Sequence, residues 1–408
     1  MPELSTIHHP LYQLRRTPFH ARTSQLCLPH NWRRWGGCLA VGSYDLGLDR
    51  EYWAIRNHAA LIDISPLIKY EITGRDAARL LHRLTPRDIH RMQVGQVYYT
   101  GWCDDDSKLL DAVPATRIGD PSSRLTAAEP QYRWLALNAV GMQVQVTELT
   151  EQMAALSLQG PKSRAILNLA CEQPVDALKY FRMAFNRIAG KAVSVSRTGY
   201  TGDLGFEIWM DAADALVIWD ALMAAGHDYG ITPTGILAMD MARVEAGLFM
   251  LDVDYTSASH AWIPGQRSSP YEMGLGWTVN LDKQGYFVGR RALEREHREG
   301  SSWQLAGLEI DWEGLEREYA AVGMPPQVPA SAVRGSIPVY AGPRQVGYAS
   351  TSTWSPVLKK YIALVHLQQP YFTPGTKVEI EVTVEHHRRK SPATVVKLPF
   401  YDPEWKKK

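Results

Sequence analysis

The chain has 408 residues, 45% hydrophobic and 21% charged, with Lys+Arg 44 against Asp+Glu 43 and a formal net charge of +1. That length suits two or three domains at about 100–200 residues each, and an ordinary apolar fraction with so small a net charge excludes a disordered chain. Its basic clusters, at 15–16, 33–34 and 386–390, are short, which argues against nucleic acid as a partner.

Residues 1–50 are rich in Pro, His, Arg, Trp and Gly without clear periodicity, and are expected to form an irregular arm. In that arm Trp32, Trp35 and Tyr44 are candidates to cap a substrate entrance. From 51 to 300 an α+β region is expected. Residues 51–58 read as a helix and 69–73 alternate as a strand. After Gly74, the apolar positions Ala77, Leu80, Leu81 and Leu84 follow the i, i+3, i+4, i+7 spacing of a helix face. The same grammar returns at 155–167, a strand ending at Gly160 and a helix opening at Pro161, which suggests two copies of one strand–Gly–helix unit. Residues 215–223 form another amphipathic helix pattern, with Gly226 as its expected stop. From 301 to 408 Pro and Gly become frequent and 376–384 alternates strictly, so an all-β C-terminal domain is expected.

No apolar run approaches the roughly 18 residues of a membrane span, and the first 22 residues contain no apolar leader segment. Cys27, Cys38, Cys103 and Cys171 lie far apart without CxxC spacing, so neither a disulfide framework nor a metal site is expected. A cytoplasmic protein with no membrane partner follows.

The most informative stretch is SRTGYTGDLGFEI at 196–208. Three glycines in seven residues mark a tight turn where backbone approaches something closely. Tyr200 offers a flat ring and Glu207 a carboxylate able to accept a bidentate fork from a planar N–C–N edge. A Gly-rich hairpin carrying a surface acid is the alternative.

This stretch resembles the SRTGYTGE-x-GFE signature of the glycine cleavage T-protein (aminomethyltransferase) family. Further segments are similar in the family's order: 54–65, GILAMDMARVEA at 235–246, GLGWTV at 274–279, FVGRRAL at 287–293, TWSP at 353–356 with IAL at 362–364, and LPFY at 398–401. The resemblance implies a three-lobed α+β architecture, two ferredoxin-like lobes and a C-terminal β-barrel around a central channel for tetrahydrofolate. It implies that Glu207 grips the pterin, that Tyr200 and Tyr99 line the folate pocket, and that Arg243 and Trp277 assist.

The family's T-protein presents two successive aspartates on a strand, the second assisting methylene transfer. Here that pair reads Asp111-Ala112, and the GARD arginine position is Met239. Successive strand side chains face opposite sides, so Asp111 cannot replace the missing acid without a register shift. The sequence therefore resembles the family's branches that move a methyl group from a small methylated compound (a methoxy-aromatic, a sulfonium or a methylamine) to N5 of tetrahydrofolate. The inserted-looking run 252–267 supplies His260 and Tyr255 as acid–base candidates beside Asp111. Tyr98, Tyr99 and Trp102 read either as a stacking wall for the substrate or as core. Two alternatives stand: an aminomethyltransferase using Asp104, Asp105 or Asp106, and a non-catalytic folate-binding assembly or sensor protein. The last is disfavoured by the lack of a KGCYxGQ motif.

Overall fold

A computed structural model describes residues 14–407. The expected helices and strands are present at Asp49–Asn57, Ile68–Thr73, Ala77–Leu84, Met153–Gln159, Ser163–Ala170, Ala215–Gly226 and Lys377–Val384. Gly74 and Gly160, the matched glycines of the two strand–Gly–helix units, both adopt positive φ, +107° and +123°. A Cβ on either would come within 2.6 Å of a backbone carbonyl oxygen. The α-helix ends at Gly226 as expected, but that glycine keeps a right-handed conformation and a 3-10 turn, His227–Tyr229, follows before Gly230 turns left-handed at φ +71°.

A six-stranded sheet runs in the order Met183–Ile188, Lys191–Ser196, Gly205–Asp211, Met153–Gln159, Ala59–Asp63, Ile231–Pro233. Strand alternation gives it two buried faces. Leu61, Leu156, Phe206 and Ile208 pack against Ile166, Leu167, Trp219 and Leu222 of two helices. Ile62, Ala155 and Trp209 pack with Tyr52 and Ile55 of Asp49–Asn57 and Met239 and Met241 of Ile236–Glu245.

A five-stranded sheet, Val97–Cys103, Leu109–Arg117, Ser123–Ala127, Ile68–Thr73, Gln145–Glu148, buries one face under Leu80, Leu81, Leu84 and Leu135. Its opposite face carries Pro114, Thr116, Arg124 and Thr126, which meet Ser196, Glu207 and Trp209 of the first sheet around a narrow gap. The C-terminal region closes into a six-stranded barrel filled by Leu308, Val339, Val346, Val365 and Val395. The region is not wholly β, since a helix at Trp312–Ala320 packs Leu315 and Tyr319 against Val384.

The described part of the N-terminal arm is more regular than its composition suggests. Arg15–Arg16, Cys38–Ser43 and Asn31–Trp35 form a three-stranded sheet, with a helix at His20–Leu26. Pairing to the neighbouring strand supplies the order that periodicity could not signal. Residues 1–13 of the arm lie outside the described residues. No described helix is long and apolar enough to cross a membrane.

Candidate functional site

The SRTGYTGDLGFEI segment folds as a strand end at Ser196, a loop, and a strand from Gly205. Gln159, buried at the end of the adjacent strand, organises the loop. It accepts from Thr201 Oγ1 at 2.8 Å and donates to Ser157 Oγ at 2.9 Å. A Cβ on Gly199 or Gly205 would come within 2.2 or 2.1 Å of the Gln159 amide, so both positions need glycine. Gly202, at φ +74°, turns the loop. Asp203 then anchors it, accepting from Trp405 Nε1 at 2.9 Å and from Arg56 at 3.4 Å.

The loop walls a cavity of about 900 Å³, within the range of about 300–1,000 Å³ typical of small-molecule sites. Tyr99 comes from the five-stranded sheet, Tyr200 from the loop, and Phe249, Leu275 and Trp277 from the segments after Ile236–Glu245. Leu305 and Leu398 arrive from the barrel strand and the C-terminal tail. Tyr200 is fixed by donating its hydroxyl proton to the Phe249 carbonyl. The cavity is thus aromatic-walled and built between the six-stranded sheet, the five-stranded sheet and the barrel, a shape that suits a flat heteroaromatic ligand.

Glu207 stands on the sheet face shared with Trp209, in the narrow gap behind Thr198. Thr198 lines the main cavity and donates to Glu207 Oε2 at 2.8 Å, so its hydroxyl joins the two spaces. Burial pushes the Glu207 carboxyl up, against the hydroxyls of Thr198 and Ser196. A half-buried carboxylate with hydroxyl partners and no ion pair among the described residues fits a neutral N–H edge of a pterin-like ring.

Asp111 and Ala112 behave as strand alternation requires. Ala112 pairs with Gly101 and packs with Tyr99 and Leu275 on the cavity side. Asp111 pairs with Trp102 on the opposite face and is wholly buried. Its Oδ2 accepts from the Ala128 N–H and its Oδ1 from the Ala112 N–H, each at 2.8 Å. Burial nevertheless pushes Asp111 up to about 7, outweighing the backbone N–H groups of Ala128, Ala112 and Glu129. Tyr255 donates to Asp111 Oδ1 at 3.5 Å and sets its ring edge-on to Phe249, 5.5 Å between centroids. Burial first, then the charge of Asp111, raises Tyr255 well above an ordinary phenol.

The structure sets Tyr99 and Tyr200 in the cavity wall, packs Tyr255 beside Tyr99 and Phe249 with its hydroxyl toward Asp111, and places Glu207 behind Thr198. It does not bring the other candidates there. His260 is at the surface, with Nε2 3.0 Å from Glu129 and 3.8 Å from Asp252. Trp102 is fully buried in the core under Ala77–Leu84, because its register turns it away from the cavity face. Trp35 packs beside Tyr52 and Ile55, while Trp32 and Tyr44 join Cys27 and Val41 in a separate cluster. Arg243 is wholly buried and engages Asp240, Asp254, Thr351 and the Leu248 carbonyl. Tyr98 faces a neighbouring cleft, and Trp277, 64% exposed, borders both spaces. Asp104 and Asp106 pair with Arg267, and Asp105 meets Tyr286.

Sequence reasoning missed Gln159, Asp203, Phe249 and Arg56. Asp203 lies inside the quoted motif and Gln159 immediately precedes Gly160, so both carried a positional signal. Arg56 lies within the family-like segment 54–65, whereas Phe249 had no such signal, and long-range packing brings both to the loop.

Two family models match the chain: the GCVT N-terminal domain over residues 24–283 and the glycine cleavage T-protein C-terminal barrel domain over residues 317–402. The chain is 31% identical over 394 residues to an aminomethyltransferase of Bacillus pumilus, covering 95% of this chain and 99% of that protein. It is 33% identical over 405 residues to the trimethylamine-oxide aldolase of Ruegeria pomeroyi, covering 96% of this chain and 47% of that longer protein. The crystal structure of glycine cleavage system aminomethyltransferase T from Bartonella henselae superposes with a TM-score of 0.80 over 96% of this chain and 99% of that one, at 23% identity. The expected α+β architecture with a C-terminal barrel is that fold.

Proposed function

The chain belongs to the glycine cleavage T-protein (aminomethyltransferase) family, and from that premise we propose that it is a tetrahydrofolate-dependent methyltransferase that demethylates a small methylated compound. When bound, tetrahydrofolate supplies a nucleophilic N5 that accepts the methyl carbon. In this reading Glu207, braced by Thr198, accepts from the amino-pyrimidine edge, and Tyr99 and Tyr200 flank the ring. Ala112 carries the reading. It occupies the cavity side of its strand, where the T-protein has its assisting acid, so the site lacks the group that methylene transfer uses there. Direct methyl transfer needs alignment and a proton for the leaving atom instead. The Tyr255–Asp111 pair, with Asp111 raised to about 7, carries the proton that leaves N5 to the departing atom, so no net proton is consumed. His260, paired with Glu129 whose backbone N–H faces Asp111, links this pair to solvent.

A second reading, aminomethyl transfer, is favoured by the name of the Bacillus pumilus relative, which the chain matches over nearly its whole length. The trimethylamine-oxide aldolase name of another relative brings methylated amines into the range of donors. The test is incubation with tetrahydrofolate and methoxy-aromatic, sulfonium and methylamine donors, with folate products read by mass spectrometry. 5-Methyltetrahydrofolate is expected. 5,10-Methylenetetrahydrofolate from an aminomethyl donor alone would select the second reading, and no folate product from any donor would refute both.

A further inference from the structure

A cleft of about 600 Å³ adjoins the main cavity, and Trp277 borders both. Arg87, Tyr98, Tyr271 and His297 also line it. The guanidinium carbon of Arg87 lies over two aromatic rings, 3.9 Å from the Tyr98 centroid and 5.2 Å from that of Trp277. Its Nη1 donates to the Tyr99 carbonyl at 2.8 Å, which ties it to the strand that walls the main cavity. Among the described residues no carboxylate pairs with it. The adjacent acid, Asp88, is held by Arg91 at 3.1 Å and by His82 at 3.5 Å. Arg87 is partly buried, and desolvation lowers its pKa, as befits a cation lacking a counter-ion.

A half-buried guanidinium that meets two aromatic rings and one carbonyl, with its neighbouring acid already engaged, keeps donors without a carboxylate partner. A carboxylate entering the cleft would supply the missing partner in a bidentate fork. We propose that this cleft is a carboxylate-binding subsite in which Arg87 takes the anion and Tyr98 and Trp277 flank the body attached to it. Two molecules can bring that chemistry: a methyl donor that carries a carboxylate, or the glutamate tail of the folate itself. The choice between them rests on the folate reading above, whereas the anion subsite does not.

The test is calorimetric titration of the full chain and of Arg87→Gln and Arg87→Lys with benzoate, tetrahydrofolate and tetrahydropteroate, which lacks the glutamate. Arg87→Gln is expected to weaken benzoate or tetrahydrofolate by about tenfold or more, with Arg87→Lys retaining part of the affinity. Loss of benzoate with tetrahydrofolate unchanged assigns the subsite to the donor. Loss of tetrahydrofolate with tetrahydropteroate unchanged assigns it to the tail. Wild-type binding of both probes by Arg87→Gln overturns the proposal. Benzoate bound through Arg87 without any tetrahydrofolate binding would sink the folate reading and leave the subsite standing. Trp277→Leu, which spares the Arg87–Tyr99 bond, is expected to weaken the same ligand and guards against misfolding of the Arg87 variants.

Discussion

At the scale of single residues, two desolvated carboxyls stand near the cavity in contrasting surroundings. Glu207 is desolvated between two sheets and held by hydroxyls rather than by a cation. Glu207→Ala is expected to weaken tetrahydrofolate binding by roughly ten- to a hundredfold, the worth of hydrogen bonds to a charged group at about 1.5–3 kcal/mol. Unchanged affinity in equilibrium titration would remove the folate assignment. Asp111 is the opposite case, a buried acid raised to about 7. Its folded-state pKa exceeds the unfolded value of about 3.9, so between those values the folded chain binds more proton than the unfolded one. Stability from this group is therefore full at the acid end and declines as pH rises through that window. The decline amounts to about 2–3 kcal/mol between pH 5 and 7.5. Urea unfolding at the two pH values is expected to show a smaller decline in Asp111→Asn than in the wild type. Equal declines would mean that Asp111 titrates as an ordinary surface acid.

At the scale of elements, the strand Leu109–Arg117 sorts its side chains by parity, Ala112 toward the cavity and Asp111 away from it. Ala112→Asp is accordingly expected to place an acid on the cavity side, raising methylene transfer from an aminomethyl donor and lowering methyl transfer. Product analysis checks this, and an unchanged product ratio would show that Ala112 does not set the reaction type. The alternation was legible in the sequence, because a period of two needs no partner to be read. The strands of the N-terminal arm were not. Arg15–Arg16 spans two residues, and Asn31–Trp35 carries two tryptophans and two arginines without alternation, so their order comes from pairing with Cys38–Ser43.

At the scale of the whole molecule, one buried cluster ties the parts together. Glu245 accepts from the Tyr52 hydroxyl and the Ser355 hydroxyl, each at 2.5 Å, and from Arg56, which also donates to the Thr201 carbonyl in the glycine loop at 2.9 Å. The two helices, the loop and the barrel thus share one charged junction. Glu245→Gln leaves the Arg56 guanidinium buried with its main partner neutralised, a change expected to cost about 3–5 kcal/mol. Because the junction joins the barrel to the helices and loop of the six-stranded sheet, these parts should unfold in a single transition shifted to lower urea. Separate transitions for barrel and remainder would show that the parts fold independently.

By itself the sequence determined the family, through ordered local motifs, and the glycine loop that carries Tyr200 and leads to Glu207, because glycine spacing and strand periodicity are written in neighbouring positions. Only the tertiary structure decided which polar groups meet. Tyr255 and Asp111 are 144 positions apart, Arg87 meets Trp277 in one cleft from distant parts of the chain, and Arg243 is consumed by Asp254 inside the core. Such pairings depend on how two sheets and a barrel pack, and on the desolvation that packing imposes, which no local pattern of residues encodes.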